Sequence, residues 1–446
     1  MLESLYAAHL RAQRQRTDAA LSQCGYDCLA IFAGMPHMQF LDDQPYPFRP
    51  NPHFKLWVPL AAPIGCWLLY RPETKPELLF LQPVDFWHKP PTLPLEHWTS
   101  HFEIVVIREP QDAWAHLKKS ITGRCAFIGE WDQRFEAIGF AGHNPPALLS
   151  RLHYWRAIKT EYEIECLRGA TQRSVRGHLA AEAAFRAGES EYGIHLAYLR
   201  ACEHTDEELP YPSIVALNAN AAVLHYQHLE RRPPSTLRSF LIDAGAQFAG
   251  YACDITRTYS HAHDEFAALI ERLDRLQQQL CARVRPGVDY VDIHLEAHRL
   301  IAALLQEAGI ISMAPEQAVE SGLSSVFFPH GVGHLLGLQV HDVAGRALDE
   351  GGQERAAPVG HPFLRLTRTL EPGFVVTIEP GLYFIDPLLE RALSSTHRKH
   401  INWTAVEHFK AYGGIRIEDD VLCTTGEPDN LTRTAFAAAK TSAAQR

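Results

Sequence analysis

Three histidines, His330, His334 and His341, stand among glycines and aliphatics in FFPHGVGHLLGLQVHD, residues 327–342. Four acids lie in strand-like runs elsewhere: Asp243 in SFLIDAG, Asp254 in YACDITRTY, Glu379 in FVVTIEPGLYF and Glu418 in GGIRIEDDV. Asp243 and Asp254 flank AQFAG, a short loop with a glycine, so a symmetric hairpin centred at 248.5 sets the two carboxylates opposite each other on one face. Like charges so placed repel unless something positive lies between them. Solvated surface acids are the ordinary alternative, but Ile242, Ala244, Ala252 and Ile255 flank these two as they would in a partly buried site. Arg416 shares a strand face with Glu418 by the two-residue period, and a structural ion pair is its ordinary reading.

If these four acids converge with one histidine, four negative charges balance two divalent cations. Oxygen-rich ligation with a single imidazole and no thiolate suits Mn²⁺, with Co²⁺, Fe²⁺ or Zn²⁺ as substitutes. Two such ions roughly 3.5–4 Å apart hold a bridging water, lower its pKa and polarise a substrate oxygen. Other histidine chemistries do not fit. HGVGH carries Gly331 where the helical HExxH zinc motif needs Glu, and no GxSxG elbow occurs. Any one histidine taken alone is ordinarily a surface or packed-core residue.

The elements that must position these groups are legible in outline. At 446 residues the chain exceeds one hydrophobic core, which implies two domains. Residues 1–152 alternate helical patterns with the short apolar runs CLAIFAG, CWLLY, ELLFLQP, FEIVVI and CAFIGE, the pattern of a small α/β domain. After the turn-rich NPPA, residues 153–446 open on a long charged helix and mix strands with helices without strict alternation, an α+β catalytic domain. The Ala-rich tail TRTAFAAAKTSAAQR is expected to fray.

Composition excludes some partners. A formal charge of −10 and a pI near 6.2 give no general attraction to nucleic acid or anionic lipid. The opening MLESLYAAHLRAQRQR lacks the apolar core of a secretory signal, and no uncharged run approaches the roughly 20 residues a membrane span needs. A cytoplasmic location is expected. Nine scattered cysteines, none in a CxxC pair, read as reduced packing residues.

Taken together, FLDDQPYPF, VDFWHK, AVLHY, SFLIDAG, CDITRTY, FFPHGVGHLLGLQVHD, HPFLR, TIEPGLYFID and GGIRIED resemble the bacterial prolidases, or Xaa-Pro dipeptidases, of the pita-bread metallopeptidase superfamily. Organophosphorus acid anhydrolases are near relatives of the same pattern. The resemblance implies a C-terminal pita-bread catalytic domain behind a smaller α/β domain that makes dimer contacts. It implies two Mn²⁺ per subunit held by Asp243, Asp254, His334, Glu379 and Glu418, with Asp254 and Glu418 bridging both ions.

It further implies that His225 and His341 stabilise the tetrahedral intermediate, that Arg416 stands behind the metals, and that Glu379 relays a proton to the leaving proline nitrogen. Arg365 in HPFLRL would clamp the dipeptide's terminal carboxylate, which limits substrates to dipeptides. Tyr211 in LPYPSI would wall a small substrate pocket, and His330 would line the leaving-group side or donate from behind the metal. Asp43 in FLDD resembles an acid that reaches into the neighbouring subunit's site, which implies a homodimer, although a loop acid capping its own backbone is the alternative. The expected reaction is attack of a metal-bound hydroxide on a trans Xaa-Pro bond, whose nitrogen carries no hydrogen. A tetrahedral phosphorus centre mimics that intermediate, so a side activity on organophosphates is expected. Aminopeptidase P chemistry and a metal-free scaffold on the same fold are the competing readings.

Overall fold

A computed structural model describes residues 2–444, which divide into two compact units. The first comprises residues 2–156 with Thr160–Glu165 and Asp349–Gln353; the second comprises Ala157–Lys159, Cys166–Leu348 and residues 354–444.

In the first unit six strands form one mixed sheet: β1 (Cys28–Phe32), β2 (Trp67–Tyr70), β3 (Glu77–Leu81), β4 (Glu103–Ile107), β5 (Cys125–Ile128) and β6 (Gly142–His143), ordered β4-β3-β2-β1-β5-β6. Its helices are α1 (Leu2–Cys24), α2 (Pro52–Trp57), α3 (Pro110–Ser120) and α4 (Pro146–Arg156). Strands β1, β2, β3 and β5 are buried along their whole length, which is why they read as unbroken apolar runs and not as alternation.

The second unit opens on α5 (Glu161–Arg186) and α6 (Glu191–Cys202). An antiparallel sheet follows, ordered β11-β8-β7, from β7 (Ile214–Leu217), β8 (Ser239–Asp243) and β11 (Thr256–Ser260), with β9 (Gln247–Phe248) and β10 (Tyr251–Ala252) forming the hairpin tip. Next come α7 (Glu265–Cys281) and α8 (Tyr290–Glu307), with short α9 (Pro315–Glu320) and α10 (Ser324–Phe327). Both long helices begin at an aspartate cap: Ala267 N–H donates to Asp264, and Val291 N–H to Asp289. In α7 the stripe Leu269, Leu273, Leu276, Leu280 is buried at helical spacing. Strand β12 (Val375–Ile378) pairs with β15 (Asp419–Leu422) and that with β16 (Asp429–Asn430), while β13 (Gly381–Tyr383) pairs with β14 (Gly414–Arg416). Helices α11 (Asp386–Leu393) and α12 (Trp403–Lys410) lie between, and α13 (Leu431–Ala444) follows.

Two expectations are corrected here. The tail does not fray over its described length. It forms α13, fixed by buried Leu431, Thr432 and Ala435 and by Arg433, which donates to Asp419 and Asp274 at 2.7 and 2.6 Å. The hairpin is not centred at 248.5. Ala249 and Gly250 both take positive φ (52° and 90°) and make a two-residue turn, so Asp243 pairs with Thr256 and not with Asp254. The slip is two residues in the partner strand, one full period, so Asp254 keeps the face that carries Asp243.

Candidate metal centre

The long strand-like runs are interrupted where they carry acids. Asp254 sits between β10 and β11, Glu379 between β12 and β13, and Glu418 between β14 and β15, while Asp243 ends β8. Each interruption releases a carboxylate from the flat ladder, yet the backbone stays tied. Asp254 N–H donates to the Asp420 carboxylate at 3.2 Å, Glu379 N–H to Val332 C=O at 2.8 Å, and Glu418 N–H to Thr256 C=O at 3.1 Å. Pro380 has no N–H to offer, which suits it to the break after Glu379.

These segments bring the four acids and His334 together. The Tyr211 hydroxyl bridges Asp243 and Asp254 at 2.8 and 2.5 Å. Arg416 donates to Asp243 at 2.7 Å and to the Tyr383 hydroxyl at 2.9 Å, and its Nε to Thr256 Oγ1 at 3.3 Å. The Thr256 hydroxyl in turn donates to Glu418 Oε2 at 2.7 Å. The ion-pair reading of Arg416 thus holds, with Asp243 as its partner and the buried site as its setting.

His334 Nδ1 lies 3.0 Å from the carbonyl of Leu335, which turns Nε2 toward the acids; burial pulls the pKa of His334 down, but Asp254 and Glu379 raise it overall. That Nε2 lies 3.5 Å from Asp254 Oδ2 and 3.8 Å from Glu379 Oε1. One donor atom each from Asp254, His334 and Glu418 fall within 4.8 Å of one another. Gly333 makes this approach possible: its φ is 152°, and a Cβ there would stand 2.1 Å from the carbonyl oxygen of Thr377. Gly331 is tight for a different reason, with Phe363 C=O 3.0 Å from where its Cβ would be.

Electrostatics show how crowded the anions are. Burial, reinforced by the neighbouring Asp254, Glu379 and Asp243, raises the Glu418 carboxyl well above its usual range; burial lifts Glu379 to about 7 and Asp243 upward. Asp254 alone is lowered: its burial pushes upward, but His334, the Tyr211 hydroxyl and His341 together overcome it. Arg416 and His334 cannot balance four carboxylates, and Glu418 Oε1 is buried with no hydrogen-bond partner. An oxygen-rich donor set with one imidazole and an orphaned carboxylate oxygen fits divalent metal ions.

The remaining expected residues distribute around this core. His330 Nε2 meets the Tyr383 hydroxyl at 2.8 Å, while its Nδ1 is 2.8 Å from Gly331 C=O and 3.6 Å from Glu379 Oε2. Burial and Arg416 hold its pKa down at about 3, so it is neutral. His341 packs edge-on to His334 with ring centroids 4.4 Å apart and is lowered to about 4 by burial, His334 and Arg365. Solvent-facing His225 is near enough to lower both His330 and His341. Arg365 is exposed and makes no ion pair among the described residues. Asp43 belongs to the first unit, on an exposed turn where its N–H donates to Asp42 and its carboxylate accepts from Gln44.

Sequence reasoning missed Tyr383, Thr256 and Asp420, which orient the site. Tyr383 and Asp420 each follow a predicted acid at even spacing, Glu379 and Glu418, so the two-residue period held the signal. Thr256 had none, because it lies beside Glu418 through a bridge between segments 162 residues apart. Eight of the nine cysteines are buried, and none of the nine forms a disulfide. No helix among the described residues is long and apolar enough to cross a membrane.

Residues 4–154 match the family described as Xaa-Pro dipeptidase, N-terminal domain, and residues 165–425 match metallopeptidase family M24. The chain is 51% identical over 438 residues to an Xaa-Pro dipeptidase of Stenotrophomonas maltophilia (strain K279a), covering 98% of both chains. It is 51% identical over 439 residues to one of Xanthomonas euvesicatoria pv. vesicatoria (strain 85-10), covering 98% of this chain and 99% of that one. In fold it is similar to the low-pH form of aminopeptidase P from E. coli, with TM-score 0.72 at 23% identity over 96% of this chain and 98% of that one. Proline aminopeptidase P II from Yersinia pestis superposes with TM-score 0.71 at 23% identity, over 98% and 97% of the two chains.

Proposed function

Because the chain belongs to metallopeptidase family M24, and within it to the Xaa-Pro dipeptidases, which are metallo-hydrolases, we propose that it releases proline from dipeptides at the gathered carboxylates of its pita-bread domain. The observation that carries this reading is the convergence of Asp254, His334 and Glu418 donor atoms within 4.8 Å, around a buried Glu418 oxygen that the protein leaves unpartnered.

Asp243, Asp254, His334, Glu379 and Glu418 would hold two divalent ions, for which the oxygen-rich set favours Mn²⁺. Such a pair supplies an activated water and polarises the scissile carbonyl. Residues of the chain do the rest. Arg416, with Tyr383 and Thr256, fixes the directions of Asp243 and Glu418. Glu379 stands between His334 and His330, in position to carry a proton from the attacking side to the leaving nitrogen. His225 and His341 border the open side, where they would donate to the developing oxyanion. Arg365, without an ion pair of its own, is free to take the terminal carboxylate of a dipeptide in its planar fork. Tyr211 would wall the pocket beside Asp243 and Asp254.

Two extensions belong to the same proposal. Organophosphorus esters present a tetrahedral centre to the same groups, and turnover of a nitrophenyl organophosphate by Mn²⁺-loaded enzyme tests this side activity. A homodimer is supported by the segment around Asp43, where Met38, Phe40, Leu41 and Tyr46 are all more than half exposed. A monomer by sedimentation at full activity rules the dimer out.

The deciding experiment is Mn²⁺-dependent proline release from dipeptides, their C-amidated forms and tripeptides. Dipeptides should be cleaved and the other two largely spared, with His334→Ala inactive and Arg365→Ala raising KM. Similar rates on all three would favour the aminopeptidase P reading, which the fold likeness keeps open. Fewer than one bound ion per chain after Mn²⁺ loading would favour a metal-free scaffold.

A further inference from the structure

A second group of potential ligands lies in the catalytic unit, apart from the carboxylates. His294 and His298 are four residues apart on α8, so their imidazoles project from one helix face. His361 joins them from the turn that begins the HPFLR segment, and one ring nitrogen from each of the three lies within 4.8 Å of the others. The rings meet nearly edge to face, with centroids 4.7, 4.7 and 4.5 Å apart.

The protein's own hydrogen bonds do not complete this cluster. His294 Nε2 faces His361 Nδ1 at 2.9 Å, and His298 Nδ1 faces the Ser324 hydroxyl at 2.9 Å. His294 Nδ1, on a residue that is 1% exposed, has no partner. No carboxylate touches the three rings in an ion pair among the described residues. Burial and mutual repulsion hold His294 at about 3 and His298 at about 2, so both are neutral imidazoles, the form that binds metal without first shedding a proton. The contact from His298 to Ser324 also has the form of the support that orients ligating histidines through their other ring nitrogen.

We propose that His294, His298 and His361 form a second metal site, selective for late first-row divalent ions such as Zn²⁺. Three imidazoles, with His361 only half-buried, make a nitrogen-only set, which suits Zn²⁺, Ni²⁺ and Cu²⁺ better than Mn²⁺. The two sites of the chain therefore differ in chemistry: oxygen-rich at the carboxylates, nitrogen-only here. His361 precedes Arg365 by four residues, and exposed Val359 and Phe363 flank it. An ion at the cluster would add to the His294–His361 contact that already joins this segment to α8. Phe328, whose ring contacts both His298 and His330, links it to the carboxylate site.

The test is the number of Zn²⁺ ions retained per full-length chain after loading and gel filtration, counted by elemental analysis. Wild type should hold one ion more than His361→Ala and His361→Gln, two variants in a surface turn whose folding is checked by circular dichroism. Ser324→Ala should weaken that ion by about 10–100-fold without changing the count. Co²⁺ in the disputed site should give a visible absorption band that His361→Ala lacks. Equal Zn²⁺ counts in wild type and both His361 variants would overturn the proposal, leaving a hydrogen-bonded histidine cluster. The count does not depend on catalysis, so loss of dipeptidase activity leaves this test intact. A rise in KM for dipeptides in His361→Ala, which rests on the role given to Arg365, is a separate readout.

Discussion

Arg416 shows how one residue helps hold a site crowded with like charges. Its guanidinium is 4% exposed and reaches Asp243, Tyr383 and Thr256 along three N–H directions, a geometry that a lysine's point charge cannot copy. Its removal leaves the largely shielded Asp243 without a cation beside Asp254, held only by the Tyr211 hydroxyl. Arg416→Ala in metal-free protein should therefore lose about 3–5 kcal/mol of stability, the range for breaking a buried pair, measured by urea unfolding. Metal should restore part of that loss. Gly333 acts at the same scale through the absence of a side chain. Gly333→Ala drives a Cβ into Thr377 C=O at 2.1 Å and pulls His334 away from the acids. It should lower metal affinity at least tenfold in a titration while leaving Asp243 and Asp254 in place.

Among the elements, the hairpin β8–β11 decides where Asp243 and Asp254 meet. Its turn uses Ala249 at φ 52°, a conformation that costs an alanine about 1 kcal/mol and an asparagine less. Ala249→Asn should stabilise the protein by about 0.5–1 kcal/mol in thermal or urea unfolding without changing metal binding. This turn also shows why the hairpin register was only half legible in the sequence. Symmetry about AQFAG ignores which two residues adopt positive φ, and local turn geometry outranks symmetry. Pro380 and Gly381 mark the break at Glu379, but those at Asp254 and Glu418 were invisible: Cys253 and Ile255 continue the apolar run around Asp254, and nothing in IRIEDDV singles out Glu418 as the interruption. Acids in strand contexts could be read directly; their convergence required pairings between segments far apart in the chain.

For the whole molecule, the division into an α/β unit and an α+β unit was readable, since apolar periodicity is a local property. Long-range partners such as Tyr383 on His330, or Asp420 on Asp254, were not. Buried histidines add a property of the whole chain. His178 lies in the core with Nε2 2.9 Å from Ala244 C=O, and burial lowers its pKa to about 3. In the unfolded chain it binds a proton near pH 6.5, while the folded protein refuses it until about pH 3. Its contribution is therefore flat above pH 6.5, and stability falls as pH drops below that, by about 1.4 kcal/mol per pH unit. His294 and His298 act in the same direction. Urea unfolding of metal-free protein between pH 7.5 and 4.5 should show this loss, and His178→Gln should reduce its slope.

The strand interruptions that hold the acids also set an order of events. The Thr256–Glu418 hydrogen bond spans 162 residues of chain, and the Asp254–Asp420 contact spans 166. Pairings so distant in sequence form late, after the local helices and hairpins. On that order the ion pocket is completed only once the chain has assembled, and cations are not expected to act as its template. Mn²⁺ in the refolding buffer should leave the refolding rate unchanged and slow only unfolding, so that loading is the last step in the maturation of the protein.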